Sequence, residues 1–297
     1  MRTRACLSLA AAAMLAACSA GAAAPGVTTP TAGGGPIATS DGTPEAAATP
    51  SLERGLAVDI GGRSLFMYCA GSGSPTVILE AGMGGDVQTW ENVVPGVSPT
   101  ARVCAYDRAN IRGSDPAPKP RTASLAVKDL KALLQAAGVQ PPYVLVGFSI
   151  GGLISQLYAA TYPADVAGLV LVDSNHPDEQ KEFEAHLTKS QIAEDRAATL
   201  DNPEGFDPFA SFDDARAAGP LPKVPFVVIS AGLSSEGWPE GWDPTVFDAL
   251  GKKLQRDLVS LIPGGRQVIA AQSGHDIPRE QPDVIVQAIK DVLSAAS

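Results

Sequence analysis

From residue 55 onward the chain alternates short apolar runs with longer stretches of helical spacing. Residues 55–60 and 64–69 flank Gly61-Gly62, a pairing that predicts a hairpin. Residues 76–80 and 102–106 read as two further strands. Over residues 124–137, Leu125, Leu130, Leu133 and Leu134 recur on one helical face, with Gly138 as the stop. Residues 143–146 then predict a buried strand, and residues 150–161 a helix halted by Tyr162-Pro163. Strands follow at 168–172, 225–230 and 266–271, and a last helix at 283–293. Apolar strands alternating with helices predict an α/β fold: a mostly parallel sheet with helices on both faces and an antiparallel hairpin at its edge.

About fifty residues separate the strand ending at Val172 from the next one, where about 2–6 would suffice. The stretches 179–189 and 192–200 have helical character, and Phe206, Phe209 and Phe212 cluster after them. We read residues 175–222 as a helical lid insertion. With Trp238 and Trp242, its aromatics suggest an apolar pocket mouth or the lid's own core.

The N-terminus follows a different pattern. Arg2 and Arg4 precede an apolar run over residues 7–17, which is too short to span a bilayer as a helix. It ends in Leu15-Ala16-Ala17-Cys18, which resembles a bacterial lipobox. Residues 1–18 are therefore expected to be a lipoprotein signal peptide, with Cys18 as the lipidated residue. Residues 19–52 are rich in Ala, Gly, Thr and Pro and are expected to form a disordered tether. Residues 53–297 would be the folded domain, held to the bacterial cell envelope by the lipid and facing outside the cytoplasm.

In that compartment Cys69 and Cys104, each on a predicted strand, form a disulfide if their strands are neighbours; otherwise they are two buried thiols. The formal net charge of −10, with basic residues scattered, argues against nucleic acid as a partner. No His/Cys/Asp cluster has metal-ligand spacing, and no cofactor is implied.

Gly147-Phe148-Ser149-Ile150-Gly151 matches G-x-S-x-G, with a predicted strand before it and a helix directly after. Such an elbow strains the serine backbone and exposes its hydroxyl at the strand end. With Leu79-Glu80-Ala81-Gly82-Met83-Gly84-Gly85, Tyr106-Asp107-Arg108-Ala109-Asn110-Ile111-Arg112-Gly113-Ser114 and Ser273-Gly274-His275, the chain resembles the serine-nucleophile branch of the α/β-hydrolase superfamily over nearly all of residues 55–293.

The resemblance implies an eight-stranded sheet whose second and fourth strands are neighbours, which supports the Cys69–Cys104 bridge. It implies Ser149 as nucleophile, His275 as base, and the backbone amides of Met83 and Ile150 as oxyanion hole. His176 and His186 are read as solvated residues of the lid. Asp107 and Arg108 match a family motif, and we read them as holding a loop by hydrogen bonds and charge.

The acid is open. The usual family position, after residues 226–230, lacks an aspartate, while Asp173 ends the preceding strand. Asp173 is favoured, Glu236 is the alternative, and Glu240 and Asp243 lie further on. The function implied is hydrolysis of a carboxylic ester or related acyl bond in a small-molecule substrate. The alternatives are a perhydrolase or acyltransferase with the same triad, or a ligand-binding or sensory protein on the same fold.

Overall fold

The computed structural model describes residues 52–234 and 237–296. The expected signal peptide, Cys18 and nearly all of the expected tether lie outside the described residues.

The strands are β1 (Leu56–Asp59), β2 (Ser64–Ala70), β3 (Thr76–Glu80), β4 (Val103–Tyr106), β5 (Tyr143–Phe148), β6 (Val166–Val172), β7 (Phe226–Ala231) and β8 (Arg266–Ala270). They form one sheet in the order β1-β2-β4-β3-β5-β6-β7-β8. β2 is antiparallel to both of its neighbours, and every later pairing is parallel. In the β2–β4 register Cys69 stands opposite Cys104, and the two form a disulfide with Cα atoms 4.1 Å apart.

The helices are α1 (Val94–Val97), α2 (Ala123–Ala136), α3 (Ile150–Thr161), α4 (Glu179–Glu184), α5 (Lys189–Leu200), α6 (Pro208–Ala217), α7 (Pro244–Val259), α8 (Ile277–Glu280) and α9 (Pro282–Ala295). Because side chains alternate along a strand, each central strand feeds two cores. Ile78, Leu145, Leu169 and Val228 face α2 and α3, where Leu130, Leu133, Leu153 and Ile154 are buried. Val77, Val144, Val146, Val170 and Ile229 face the other way, onto Ile285, Ile289 and Val292 of α9.

The stretch expected as one helix over 179–189 is divided. Thr188 and Gln191 make a reciprocal capping box that starts a new helix at Lys189. The periodicity argument also passed over α7, although Asp243 caps it, Pro244 opens it, and Phe247, Leu254 and Leu258 line its buried face.

The insertion between β6 and β7 carries α4, α5 and α6. It is stitched to the domain by polar contacts. Ser211 Oγ and Asp214 accept the Ala123 and Ser124 N–H groups at 2.9 and 3.1 Å, which caps α2 in place of the Thr122 side chain. Of its aromatics, Phe206 and Phe212 enter the main core beside α2 and α3, and Phe183 joins Trp242 and Phe247, from after β7, in a small core with Trp238 packed against it. Phe209 is half-buried with the Arg196 guanidinium over its ring.

Candidate active site

β5 ends at Phe148, α3 begins at Ile150, and Ser149 makes the turn between them at φ +54°. Positive φ on a residue other than glycine stores about 1–3 kcal/mol, which the surroundings must offset. Here the Ser149 N–H donates to the Val172 carbonyl at 3.0 Å, and its own carbonyl accepts from the Asn175 N–H at 3.2 Å. The turn admits no side chains beside it. A Cβ on Gly147 would lie 2.4 Å from the Gly151 carbonyl oxygen, and one on Gly152 2.1 Å from Ser174 Oγ.

Asp173 follows directly on β6, also at positive φ (+38°). One carboxylate oxygen accepts the Ala231 N–H at 3.1 Å, and the other lies 2.7 Å from His275 Nδ1. With Nδ1 as the donor, Nε2 is the basic nitrogen. The His275 side chain is 41% exposed, so the ring is reachable from outside. Its ring stands 4.9 Å from the ring of Phe148, the residue before Ser149. No hydrogen bond joins Ser149 Oγ to His275. Such contacts are often long before substrate binds.

The segment carrying His275 is pinned. The Glu280 carboxylate accepts from Ser273 Oγ and from the Gly274 N–H, each at 2.8 Å, and the Ser273 carbonyl takes the Gly232 and Leu233 N–H groups. Dehydration works against a charged His275. The hydrogen bond and charge of Asp173, with the charges of Glu179 and Asp276, prevail and raise its pKa above the ordinary 6.5.

Glu179, at the start of α4, is a further carboxyl of this neighbourhood. It accepts from Asn175 Nδ2 at 2.6 Å and from the His176 N–H at 3.3 Å. Burial pushes its pKa up from 4.5 to about 7.

The loop after β3 runs past the serine. A Cβ on Gly82 would stand 3.4 Å from Ser149 Cβ. Next to it, the Met83 N–H donates no hydrogen bond among the described residues. Behind the loop, Asp107 accepts the Val87 and Gly113 N–H groups at 2.8 and 3.0 Å.

Of the residues singled out from sequence, Ser149, His275, Asp173, Met83 and Ile150 are thus gathered at the ends of β3, β5, β6 and β8. Glu236 lies outside the described residues. Asp243 is engaged elsewhere, accepting the Thr245 N–H at 2.9 Å as the cap of α7. His186 is exposed as expected. His176 corrects the expectation of a solvated residue. It is buried, and its Nδ1 accepts the Asp178 N–H at 3.0 Å within the first turn of the insertion. Glu80, Glu179, Glu204 and Glu280 were not singled out. The one local signal was Glu80, a carboxylate at the end of a strand buried throughout. Among the described residues no group of three or more His, Cys, Asp or Glu could hold a metal.

The α/β-hydrolase fold family model matches residues 75–224. The Bacillus subtilis protein YqjL is 28% identical over 235 residues, covering 76% of this chain and 86% of that one. The enol-lactonase of Burkholderia xenovorans LB400 superposes with a TM-score of 0.57 at 21% identity, over 81% of this chain and 99% of the other. A thermophilic esterase from Thermogutta terrifontis gives 0.56 at 21%, over 79% and 94%. The family match, the sheet order and the serine elbow agree: this chain belongs to the α/β-hydrolase fold family.

Proposed function

We propose that this protein is a serine hydrolase that cleaves a carboxylic ester or related acyl bond through an acyl-enzyme on Ser149. The observation that carries the reading is the 2.7 Å contact of His275 Nδ1 with Asp173, beside an elbow serine held at φ +54°.

In this reading Ser149 Oγ attacks the carbonyl carbon while His275 Nε2 takes its proton. Asp173 keeps the imidazole in the needed tautomer and stabilises the imidazolium that forms. The N–H groups of Met83 and Ile150 receive the oxyanion. The imidazolium then protonates the departing alkoxide, and water, activated by the same histidine, frees the acid. The names of the enol-lactonase and the esterase favour acyl–oxygen substrates for this chain too. The helical insertion would serve as lid over the site.

The test is a fluorophosphonate probe on the domain from about residue 51, with the adduct located by mass spectrometry and Ser149→Ala as control. Labelling at Ser149 that the control abolishes supports the reading, and a folded domain that resists labelling overturns it. The absent Ser149–His275 hydrogen bond favours a second reading, capture of a small ligand without turnover. Steady release of product from a simple ester would exclude it.

The N-terminal pattern supports an envelope lipoprotein tethered through Cys18. Incorporation of labelled palmitate in a bacterial host, abolished by Cys18→Ala, is the expected result.

A further inference from the structure

A buried ionic network joins the insertion to the loop that holds Met83. Arg108, Glu80 and Glu204 are 4%, 2% and 1% exposed. All five N–H donors of Arg108 are used. Nε and Nη2 fork onto Glu204 at 2.6 and 2.9 Å. Nη2 also reaches the Gly82 carbonyl at 2.7 Å, and Nη1 reaches Glu80 and the Ala81 carbonyl, each at 2.7 Å. The Tyr106 hydroxyl donates to the other oxygen of Glu80. Glu204 takes the Gly84 N–H at 3.1 Å, and Asn110 Nδ2 holds the Glu204 carbonyl at 2.9 Å.

Met83 is therefore bracketed. The carbonyl before it is held by Arg108 and the N–H after it by Glu204. The Gly82–Met83 peptide is trans. In a trans peptide C=O and N–H point in opposite directions, so a Gly82 carbonyl aimed at Arg108 turns the Met83 N–H to the other side of the loop. Gly82 itself borders Ser149. We propose that Glu204, on the insertion, is a positioning residue that acts through Arg108 to aim the Met83 N–H at the oxyanion. This rests on the serine-hydrolase reading above.

The insertion would then complete the oxyanion hole as well as cover the site. Without Glu204, Arg108 keeps Glu80 but loses the fork that sets its plane. The Gly84 N–H loses its acceptor, and the Gly82 carbonyl, which also accepts the Gly85 N–H at 3.1 Å, is held by a less firmly oriented guanidinium, so the Gly82–Met83 peptide can tilt.

The experiment compares wild type, Glu204→Gln and Arg108→Lys. Active sites are counted by fluorophosphonate titration, and kcat, KM and the acid limb of the pH profile are measured with p-nitrophenyl acetate. The expected result is a fall in kcat per labelled site approaching the about 10²–10³-fold loss seen when one oxyanion donor is removed. KM and the acid limb should change little, because His275 and Asp173 are untouched. The double variant should lose no more than the worse single one, since both break one device. Glu204→Asp, which keeps the charge, should recover part of the rate. It also carries the test on the same readouts if Glu204→Gln fails to fold. A folded variant with unchanged kcat per labelled site overturns the proposal, even if its melting point is lower. A wild-type protein that resists the probe instead overturns the serine-hydrolase reading.

Discussion

Asp173 and His275 touch at 2.7 Å across 102 residues of chain. The contact exists because β6, β7 and β8 are parallel neighbours, so the segments after β6 and β8 emerge at the same edge of the sheet. The same short segment steadies the serine, since the Val172 carbonyl and the Asn175 N–H bond the Ser149 backbone on either side of Asp173.

Asp173→Asn should therefore remove the acceptor that selects the His275 tautomer. The expected loss in kcat is about 10⁴-fold, the size found when a triad aspartate becomes an amide. Glu236→Gln should keep near-normal turnover. Steady-state rates of the two folded variants decide the matter, and the reverse pattern would move the acid to Glu236.

The raised pKa of His275 has a visible consequence. The base must be neutral to accept the serine proton, so the acid limb of kcat/KM should lie above pH 6.5. Glu179 contributes to that rise by its charge, and Glu179→Gln should move the limb to lower pH. The same substitution should alter stability in a pH-dependent way. A carboxyl raised from 4.5 to about 7 contributes stability that is fully present below about pH 4.5 and is lost as pH rises through 7. Thermal melts of Glu179→Gln and wild type should thus differ in the variant's favour more at pH 8 than at pH 5. Equal differences at the two pH values would show that Glu179 is ionised throughout.

The disulfide closes a segment of 35 residues between Cys69 and Cys104. A cross-link of that span is worth about 2–4 kcal/mol in the chain-entropy account. Cys69→Ala/Cys104→Ala should lower the unfolding free energy from denaturant titration by that amount while turnover at 25 °C is kept, because the bridge lies between β2 and β4, away from the serine. A loss of activity in the folded double variant would contradict this placement.

Gly147→Ala and Gly152→Ala should differ. The new methyl at 147 meets the backbone of α3, with the Gly151 carbonyl oxygen at 2.4 Å, whereas at 152 it meets the Ser174 side chain. Backbone cannot step aside, so Gly147→Ala should abolish soluble expression or activity. Gly152→Ala should fold with reduced stability, and Ser174→Gly should relieve part of the cost by removing both Oγ and the Cβ at 2.3 Å. If both single variants express and melt alike, the elbow is less tightly packed than described.

The local pattern of the chain was enough to place β3 at residues 76–80 and α3 at residues 150–161, the bounds the structure shows. It also singled out Ser149 between strand and helix, and His275 after the last strand. These features are legible because strand and helix periods, and the small residues an elbow requires, are written in consecutive positions. The Cys69–Cys104 pair was legible only once a strand order was supposed. The carboxylate that meets His275 could be favoured as Asp173 but not fixed against Glu236, since it depends on where three parallel strands end in space. The burial of His176 and the role of Glu204, 96 residues from Arg108, escaped for the same reason. A buried ion pair leaves no spacing in the sequence, because its geometry is set by how the insertion packs onto the sheet and not by either partner's neighbours in the chain.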